Sequence, residues 1–248
     1  MNKAEFIRED ESLEDLGVGN LFLIQKKKGF RFGTDAVLLA DFAKGIQSDS
    51  TLDLCTGSGI VPILLSHKSK ANKICGVEIQ EEVFETATRS VEINGLSERV
   101  LLYRADLKNC TDIFPKRSFS LVTCNPPYIA GGSGIKCPDD SKFIARHEVM
   151  CTLDDVVRVA EAMLGDGGHF CMVHRPSRLS DVIEAMRRYR IEPKRLRFVH
   201  PHINDEPALF LIDGLRRGGN ELRVLSPLVL YDENMNETEE LRRIYERD

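Results

Sequence analysis

The sequence predicts a doubly wound α/β fold. Its sheet has about seven strands, mostly parallel, closed by an antiparallel C-terminal hairpin and preceded by a short N-terminal β-hairpin extension. Three observations predict it. From residue 51 onward, short apolar runs alternate with helix-period stretches, the pattern of βαβ units. A glycine-rich turn, Asp53-Leu-Cys-Thr-Gly57-Ser-Gly59, joins the first of these strands to the next helix. The last two strand-like runs, Arg195–His200 and Leu209–Ile212, leave no room for a helix between them, and strands joined by a short loop are most simply antiparallel.

The elements follow in order. Leu21–Gln25, a turn at Lys28–Gly29 and Phe30–Phe32 read as the N-terminal hairpin. Thr51–Cys55 reads as a short buried strand, and Gly57 and Gly59 turn the chain into a helix beginning near Pro62, a residue suited to a first helical turn. Ile74–Glu78 is the second strand. A helix over Glu81–Asn94 places Val83, Phe84, Ala87 and Val91 on one face, and Gly95 stops it. Val100–Arg104 and Phe119–Cys124 are the third and fourth strands. Ala130–Ser141, rich in Gly, Ser, Pro and Asp, reads as a surface loop, as compatible with a lid as with plain disorder. Leu153–Leu164 is an amphipathic helix, His169–His174 the fifth strand and Arg178–Tyr189 a helix. The expected organisation is an extension over 1–45 packed on the main domain, the α/β domain over 46–231 and an acidic C-terminal helix over 232–248.

Composition narrows the class. Of 248 residues, 42% are hydrophobic and 29% charged, which excludes disordered, collagenous and coiled-coil proteins. The longest apolar runs, Ile60–Leu65 and Leu21–Ile24, are too short to cross a membrane, and the acid-rich first fifteen residues contain no secretory core. The cysteines at 55, 75, 110, 124, 137, 151 and 171 form no Cys-x-x-Cys pair, which points to reduced thiols in a cytoplasmic protein. No histidine stands at ligand spacing from a cysteine or acid pair, so no metal is expected.

The net charge of −5 is unevenly placed: residues 1–15 and 232–248 each carry −4, leaving +3 for the body. Within the body, Arg187, Arg188, Arg190, Lys194, Arg195 and Arg197 gather around Glu192, and Lys26, Lys27, Lys28 and Arg31 form a second group, with Arg216 and Arg217 a third. Any one cluster taken alone reads first as a solvated face and second as a binding surface.

The glycine turn lets backbone approach a ligand at a helix N-terminus, where N–H donors are unpaired. Pro62 stands where the dinucleotide fingerprint has its third glycine, which argues against a nicotinamide cofactor. Alone, the turn is equally well a tight connection. Two further acids add to it: Glu78 ends the second strand and Asp106 follows the third. Ligands of doubly wound sheets bind outside the carboxyl ends of the strands. A carboxylate after strand two can accept from both ribose hydroxyls, and one after strand three from an adenine amino group. Each acid alone is an ordinary solvated strand end, but Asp53, Glu78 and Asp106 in succession point to an adenosine-bearing ligand. The arrangement resembles the class I S-adenosylmethionine-dependent methyltransferases, with their Rossmann-like seven-stranded sheet.

The fourth strand ends in Asn125-Pro126-Pro127-Tyr128. The prolines stiffen the chain and keep Asn125 out of the helical region. An amide oxygen and a backbone oxygen aimed the same way suit both hydrogens of an –NH₂ group, and Tyr128 offers a face for stacking. A rigid turn is the plain alternative. The motif is shared by methyltransferases acting on adenine N6, guanine N2 and glutamine N5. With Gly29-Phe-Arg-Phe-Gly-Thr-Asp-Ala-Val-Leu-Leu-Ala40, Ile144-Ala-Arg-His-Glu148 and Ser226-Pro-Leu-Val-Leu-Tyr231, the chain resembles the bacterial family of valine-tRNA adenine-N6 methyltransferases, which modify the adenine beside the anticodon. The resemblance implies that Asn125, Pro126, Pro127 and Tyr128 are the catalytic motif. It implies that Asp53, Gly57, Gly59, Glu78, Ile79, Asp106, Leu107 and Asn125 hold S-adenosylmethionine, with Thr34 and Asp35 closing over its methionine end. A tRNA substrate is implied too, for which Lys26, Lys27, Lys28, Arg187 and Arg188 are candidate contacts. Arg146 and His147 line a substrate entrance or belong to a helix-terminal ion pair. Glutamine N5 transfer to a protein, guanine N2 transfer to rRNA, and an inactive RNA-binding adaptor remain as rivals.

Overall fold

The computed structural model describes residues 3–28, 33–126 and 151–247. After a 3₁₀ turn, the chain forms β1 (Glu11–Asp15), β2 (Phe22–Lys26), α1 (Thr34–Ala43), β3 (Ser50–Leu54), α2 (Ile60–Lys68), β4 (Lys73–Glu78), α3 (Glu81–Ile93) and β5 (Val100–Arg104). It continues through α4 (Cys110–Ile113), β6 (Phe119–Cys124), α5 (Leu153–Met163), β7 (Leu164–His174), α6 (Leu179–Arg188), β8 (Ile191–His200) and β9 (Leu209–Arg216). β10 (Arg223–Val224), β11 (Leu228–Val229) and α7 (Glu239–Ile244) complete the described chain.

Among the described residues the main sheet runs β10-β8-β9-β7-β6-β3-β4-β5, with β11 also on β8. β3, β4, β5, β6 and β7 pair in parallel, and β9 runs antiparallel to both β7 and β8. The seven long strands and the terminal hairpin are those expected. β10 and β11, two residues each, extend the edge beyond them. Strand order reverses between β3 and β6, which makes their carboxyl ends the switch point of the sheet.

Apolar clusters cover both faces. One gathers α1, α2 and α7 residues such as Leu38, Leu64 and Leu241; the other gathers Val157, Met163 and Met186 from α5 and α6. α5 is anchored by a capping box: Thr152 Oγ1 accepts the Asp155 N–H, and the Asp155 carboxylate accepts the Thr152 N–H, both at 3.1 Å. Ala36 through Ala40 are all buried, so α1 is apolar around its circumference and carries no amphipathic signature.

The N-terminal hairpin is built differently from the expected one. β2 pairs with β1, while Phe30–Phe32, expected as its partner, lies outside the described residues. The segment Glu11–Asp15 reads as polar because its partners are remote in sequence. The Glu11 carboxylate is buried and receives both guanidinium nitrogens of Arg89 on α3 at 2.7 Å. β2 is fixed to the same helix by Ile24 N–H to Ser90 Oγ (3.0 Å) and Phe22 N–H to Asn94 Oδ1 (2.9 Å).

The Arg89 guanidinium holds the Glu11 carboxyl below its ordinary 4.5. A depressed carboxyl contributes stability that is present above 4.5 and lost as pH falls through the lower folded value. Glu11→Gln leaves Arg89 without its counter-charge and is expected to cost about 3 kcal/mol at neutral pH. Denaturant titrations at pH 7 and pH 3 should show the gap to the parent protein shrinking on acidification.

Candidate active site

β3 ends where Cys55 takes a left-handed backbone, φ 57°, a conformation that costs a non-glycine residue of order 1–3 kcal/mol. Gly57 (φ 54°) and Gly59 (φ 79°) complete the turn, and Gly59 is the N-cap of α2 without a side-chain cap. The two glycines do different work. A Cβ at Gly59 would meet Ala87 Cβ of α3 at 3.3 Å, whereas one at Gly57 meets nothing nearer than the Cys55 carbonyl at 4.0 Å. The backbone at Gly57 therefore has open space above it, while Gly59 permits close helix packing.

Parallel register sets the remaining groups in rows. Val77, Leu54 and Cys124 are paired across β4, β3 and β6, so the following residues, Glu78, Cys55 and Asn125, occupy neighbouring strand ends. The buried Glu78 carboxylate accepts the Gly57 N–H at 3.0 Å and the Gln80 N–H at 2.9 Å, tying the turn to the end of β4. Two rows deeper, Asp53 lies beside Thr123, whose hydroxyl donates to Oδ1 at 2.6 Å. Burial pushes the Asp53 carboxyl up to about 7, with the Thr123 hydroxyl opposing and the charge of Glu78 adding to the rise.

Asp106, after β5, caps the next turn by accepting the Lys108 N–H at 2.9 Å and pairs with the Lys108 ammonium at 3.2 Å. Leu107 is buried and Ile79 half-buried at the same edge. Asp41 in the last turn of α1 meets Lys68 in the last turn of α2 at 3.3 Å, so the two helices run the same way. The N-terminus of α1, with Thr34 and Asp35, therefore faces the carboxyl edge as α2 does. Thr34 hydrogen-bonds Tyr245 beyond α7, and Asp35 accepts the Ala36 N–H.

Pro127, Tyr128, Arg146, His147 and the 130–141 loop lie outside the described residues. Among the described residues, much of the basic clusters is already paired. Lys26 meets Asp10 at 2.6 Å and Glu11 at 3.8 Å, and Lys27 donates to the Glu9 carbonyl, while Lys28 is exposed. Arg187 pairs with Glu192, and Arg188 with Asp154 and Glu184. The last turn of α6, which carries both arginines, hands the chain to the start of β8.

Two features escape a reading of the sequence. Cys55 and Cys151 approach to 3.9 Å between sulfurs at the edge of the site, with Cys124 beside Cys55; burial contributes to raising all three thiols, so they serve as small apolar groups. His174 ends β7 next to the end of β6, a position visible only once those two strands are known to be neighbours. Among the described residues no group of three His, Cys, Asp or Glu is arranged to hold a metal ion.

The order of strands and the site at their switch point define a class I methyltransferase fold. The Agrobacterium tumefaciens protein Atu636, described as a predicted O-methyltransferase, superposes with a TM-score of 0.71 at 20% identity, covering 86% of this chain and 95% of that one. The T. Thermophilus 16S rRNA N2 G1207 methyltransferase, solved with AdoMet and guanosine, gives 0.57 at 17% identity over 84% of this chain and 50% of its own. The Methyltransferase small domain model matches residues 27–189, and the chain belongs to that family. Curated tRNA1(Val) (adenine(37)-N6)-methyltransferases of Yersinia pseudotuberculosis and Yersinia pestis are 28% identical over 153 residues, 61% of this chain. The match spans 60% of the length of those relatives.

A carboxyl whose folded value is raised from 3.8 to about 7 favours the fold below 3.8, and that contribution is lost as pH rises through 7. Ligand-free protein should therefore lose stability as pH rises from 3.8 to about 7, by about a few kcal/mol at most, and level off above that. Asp53→Asn removes the ionisation, so thermal melts across that range should show a shallower decline than in the parent.

Proposed function

We propose that the chain is an S-adenosylmethionine-dependent methyltransferase acting on the N6 amine of an adenine in tRNA, the adenine beside the anticodon of valine tRNA. The observation that supports this reading is the row Glu78, Cys55, Asn125, in which Asn125 stands one strand from the turn of Gly57 and Gly59. The names of the Yersinia relatives support the substrate, and the AdoMet-bound rRNA methyltransferase supports the cofactor.

The residues present fit such a cofactor. Gly57 leaves room for close approach, the first turn of α2 has no side-chain cap, and Glu78 and Asp106 offer carboxylates at successive strand ends. Glu78 Oε1 accepts from the Gln80 backbone and side-chain amides and Oε2 from Gly57, which leaves an acceptor site on Oε2 suited to a ribose hydroxyl, with a second opened if the Gln80 side chain turns away. Asp106 suits an adenine amine, and Thr34 and Asp35 the methionine end. When bound, the cofactor supplies a methyl group on a positively charged sulfur.

The chain's part is to prepare the nitrogen. The Asn125 side-chain oxygen and the Pro126 carbonyl accept both amine hydrogens, which weakens delocalisation into the ring and turns the lone pair toward the methyl group. Tyr128 stacks on the base. No strong general base is required, because the nitrogen becomes acidic only after the new bond forms. Positioning of this kind can lower a barrier by up to about 7–11 kcal/mol. Swinging a stacked base outward costs on the order of a few kcal/mol, less for an unpaired loop base.

Incubation with labelled S-adenosylmethionine and total RNA, followed by digestion to nucleosides, should yield labelled N6-methyladenosine. Label in N2-methylguanosine, in protein alone, or nowhere overturns the reading. Asn125→Ala should lower transfer by at least about a hundredfold in kcat measured at saturating cofactor.

A further inference from the structure

We propose that Asp53 and Glu78 act as a charge filter in the cofactor site: two buried acids without a cation of their own hold the positively charged S-adenosylmethionine in preference to its net-neutral product, S-adenosylhomocysteine. The inference rests on the function proposed above and extends it to the exchange of spent cofactor for fresh.

The first argument is a contrast among buried acids. Among the described residues these are Glu11, Asp53, Glu78 and Asp213. Glu11 meets Arg89 at 2.7 Å, and Asp213 meets Arg195 at 2.8 Å and His169 at 2.7 Å. Asp53 and Glu78 are 1% and 5% exposed, yet among the described residues neither forms an ion pair. Their donors are neutral: the Thr123 hydroxyl for Asp53, and the amides of Gly57 and Gln80 for Glu78. Buried charge ordinarily has a partner.

Position is the second argument. Asp53 stands opposite Gly76 of β4 and Thr123 of β6. Residues two apart on a strand share a face, so Glu78 lies on the same face as Asp53. The bond from Gly57 N–H to Glu78 sets that face beneath the glycine turn. A charge bound at the turn is therefore close to both acids. The other neighbours bring no positive charge. Thr56 fills the space over Gly76 beside Leu102 of β5, and Cys124 of β6 is kept neutral by burial. The covering helices α1 and α2 contribute apolar residues such as Val37 and Ile63, and α1 begins with a further acid, Asp35. Lys108, at the next strand end, is held by Asp106.

Selection follows from the chemistry of the two ligands. Both carry the balanced charges of an amino acid, and S-adenosylmethionine alone adds a sulfonium. Methyl transfer turns that sulfonium into a thioether, so the attraction ends with the reaction. Without ligand, a proton takes the place of the cation: burial raises the Asp53 carboxyl to about 7, with the Thr123 hydroxyl opposing and Glu78 adding to the rise. A bound cation favours the ionised carboxyl. Affinity for S-adenosylmethionine therefore rises with pH until Asp53 is ionised and then levels off, while affinity for S-adenosylhomocysteine changes little.

The test is calorimetric titration of each ligand into the ligand-free chain from about pH 5.5 to about pH 8. The parent should bind S-adenosylmethionine about fivefold more tightly at the upper end than at the lower, with S-adenosylhomocysteine constant within about twofold. Asp53→Asn should flatten the first dependence and narrow the preference between the ligands. Thr123→Val tests the same point without touching the acid: losing the donor raises the carboxyl further, so the gain in affinity moves to higher pH, while Thr123→Ser keeps the parent's profile. The same pH dependence for both ligands, or the parent's profile in Asp53→Asn or Thr123→Val, overturns the filter and leaves the proposed function standing. A chain that binds S-adenosylmethionine at no pH overturns both.

Discussion

Parallel, in-register pairing of β3, β4, β6 and β7 is the constraint on which the rest of the molecule depends. Tyr103, Val77, Leu54, Cys124, Met172 and Ile212 form one continuous row across the sheet. Once that row is fixed, the next residue of each parallel strand emerges at the same edge, whatever its side chain. Glu78, Cys55 and Asn125 are neighbours for this reason and not because of any attraction among them. A parallel connection also needs a long crossover, so each of these strand ends is followed by a turn at that edge, where backbone polar groups can face a ligand.

That edge is held in a conformation the chain would not choose locally. Cys55 occupies left-handed space, Asp53 is buried with a carboxyl raised to about 7, and Glu78 is buried against backbone N–H groups. Gly76 shows how tightly the turn folds back, because a Cβ there would meet Thr56 Oγ1 at 2.9 Å and Leu102 Cδ2 at 2.7 Å. The compensation comes from the apolar clusters on both faces of the sheet, where Leu52, Leu54, Leu64 and Val122 are fully buried. A rigid core supports a strained rim, the usual condition for a preorganised site.

The parts of this fold legible in sequence are those whose signal is local. β5 and β6 coincide with the runs Val100–Arg104 and Phe119–Cys124, and Gly95 follows α3 with φ 68°. The acids at strand ends could be read because the strand ends could. What stayed hidden depends on distant partners. β1 holds a buried acid, Glu11, that is neutralised by Arg89, 78 residues away. The Asp53–Thr123 hydrogen bond spans 70 residues and exists only if β3 and β6 are adjacent. α1 lacks an amphipathic period because helices and sheet enclose it on every side, and β10 and β11 are too short to show one.

The charge pattern changes meaning for the same reason. Acidic ends and a basic body suggest a polarised surface, yet the structure pairs them with each other: Asp10 with Lys26, Glu11 with Arg89, Glu240 with Arg197, and Glu246 with His67. Arg187 and Arg188 are matched by acids nearer in the fold. The exposed pairs among these add little stability each, but they reduce the field that a row of bare lysines and arginines would project. Among the described residues, Lys26, Arg187, Arg188, Arg195 and Arg197 each stand beside an acid, so these clusters offer a polyanion less attraction than their number in the sequence suggests. For the tRNA substrate proposed above, selectivity then falls more on the fit of the target base at the strand ends than on bulk charge.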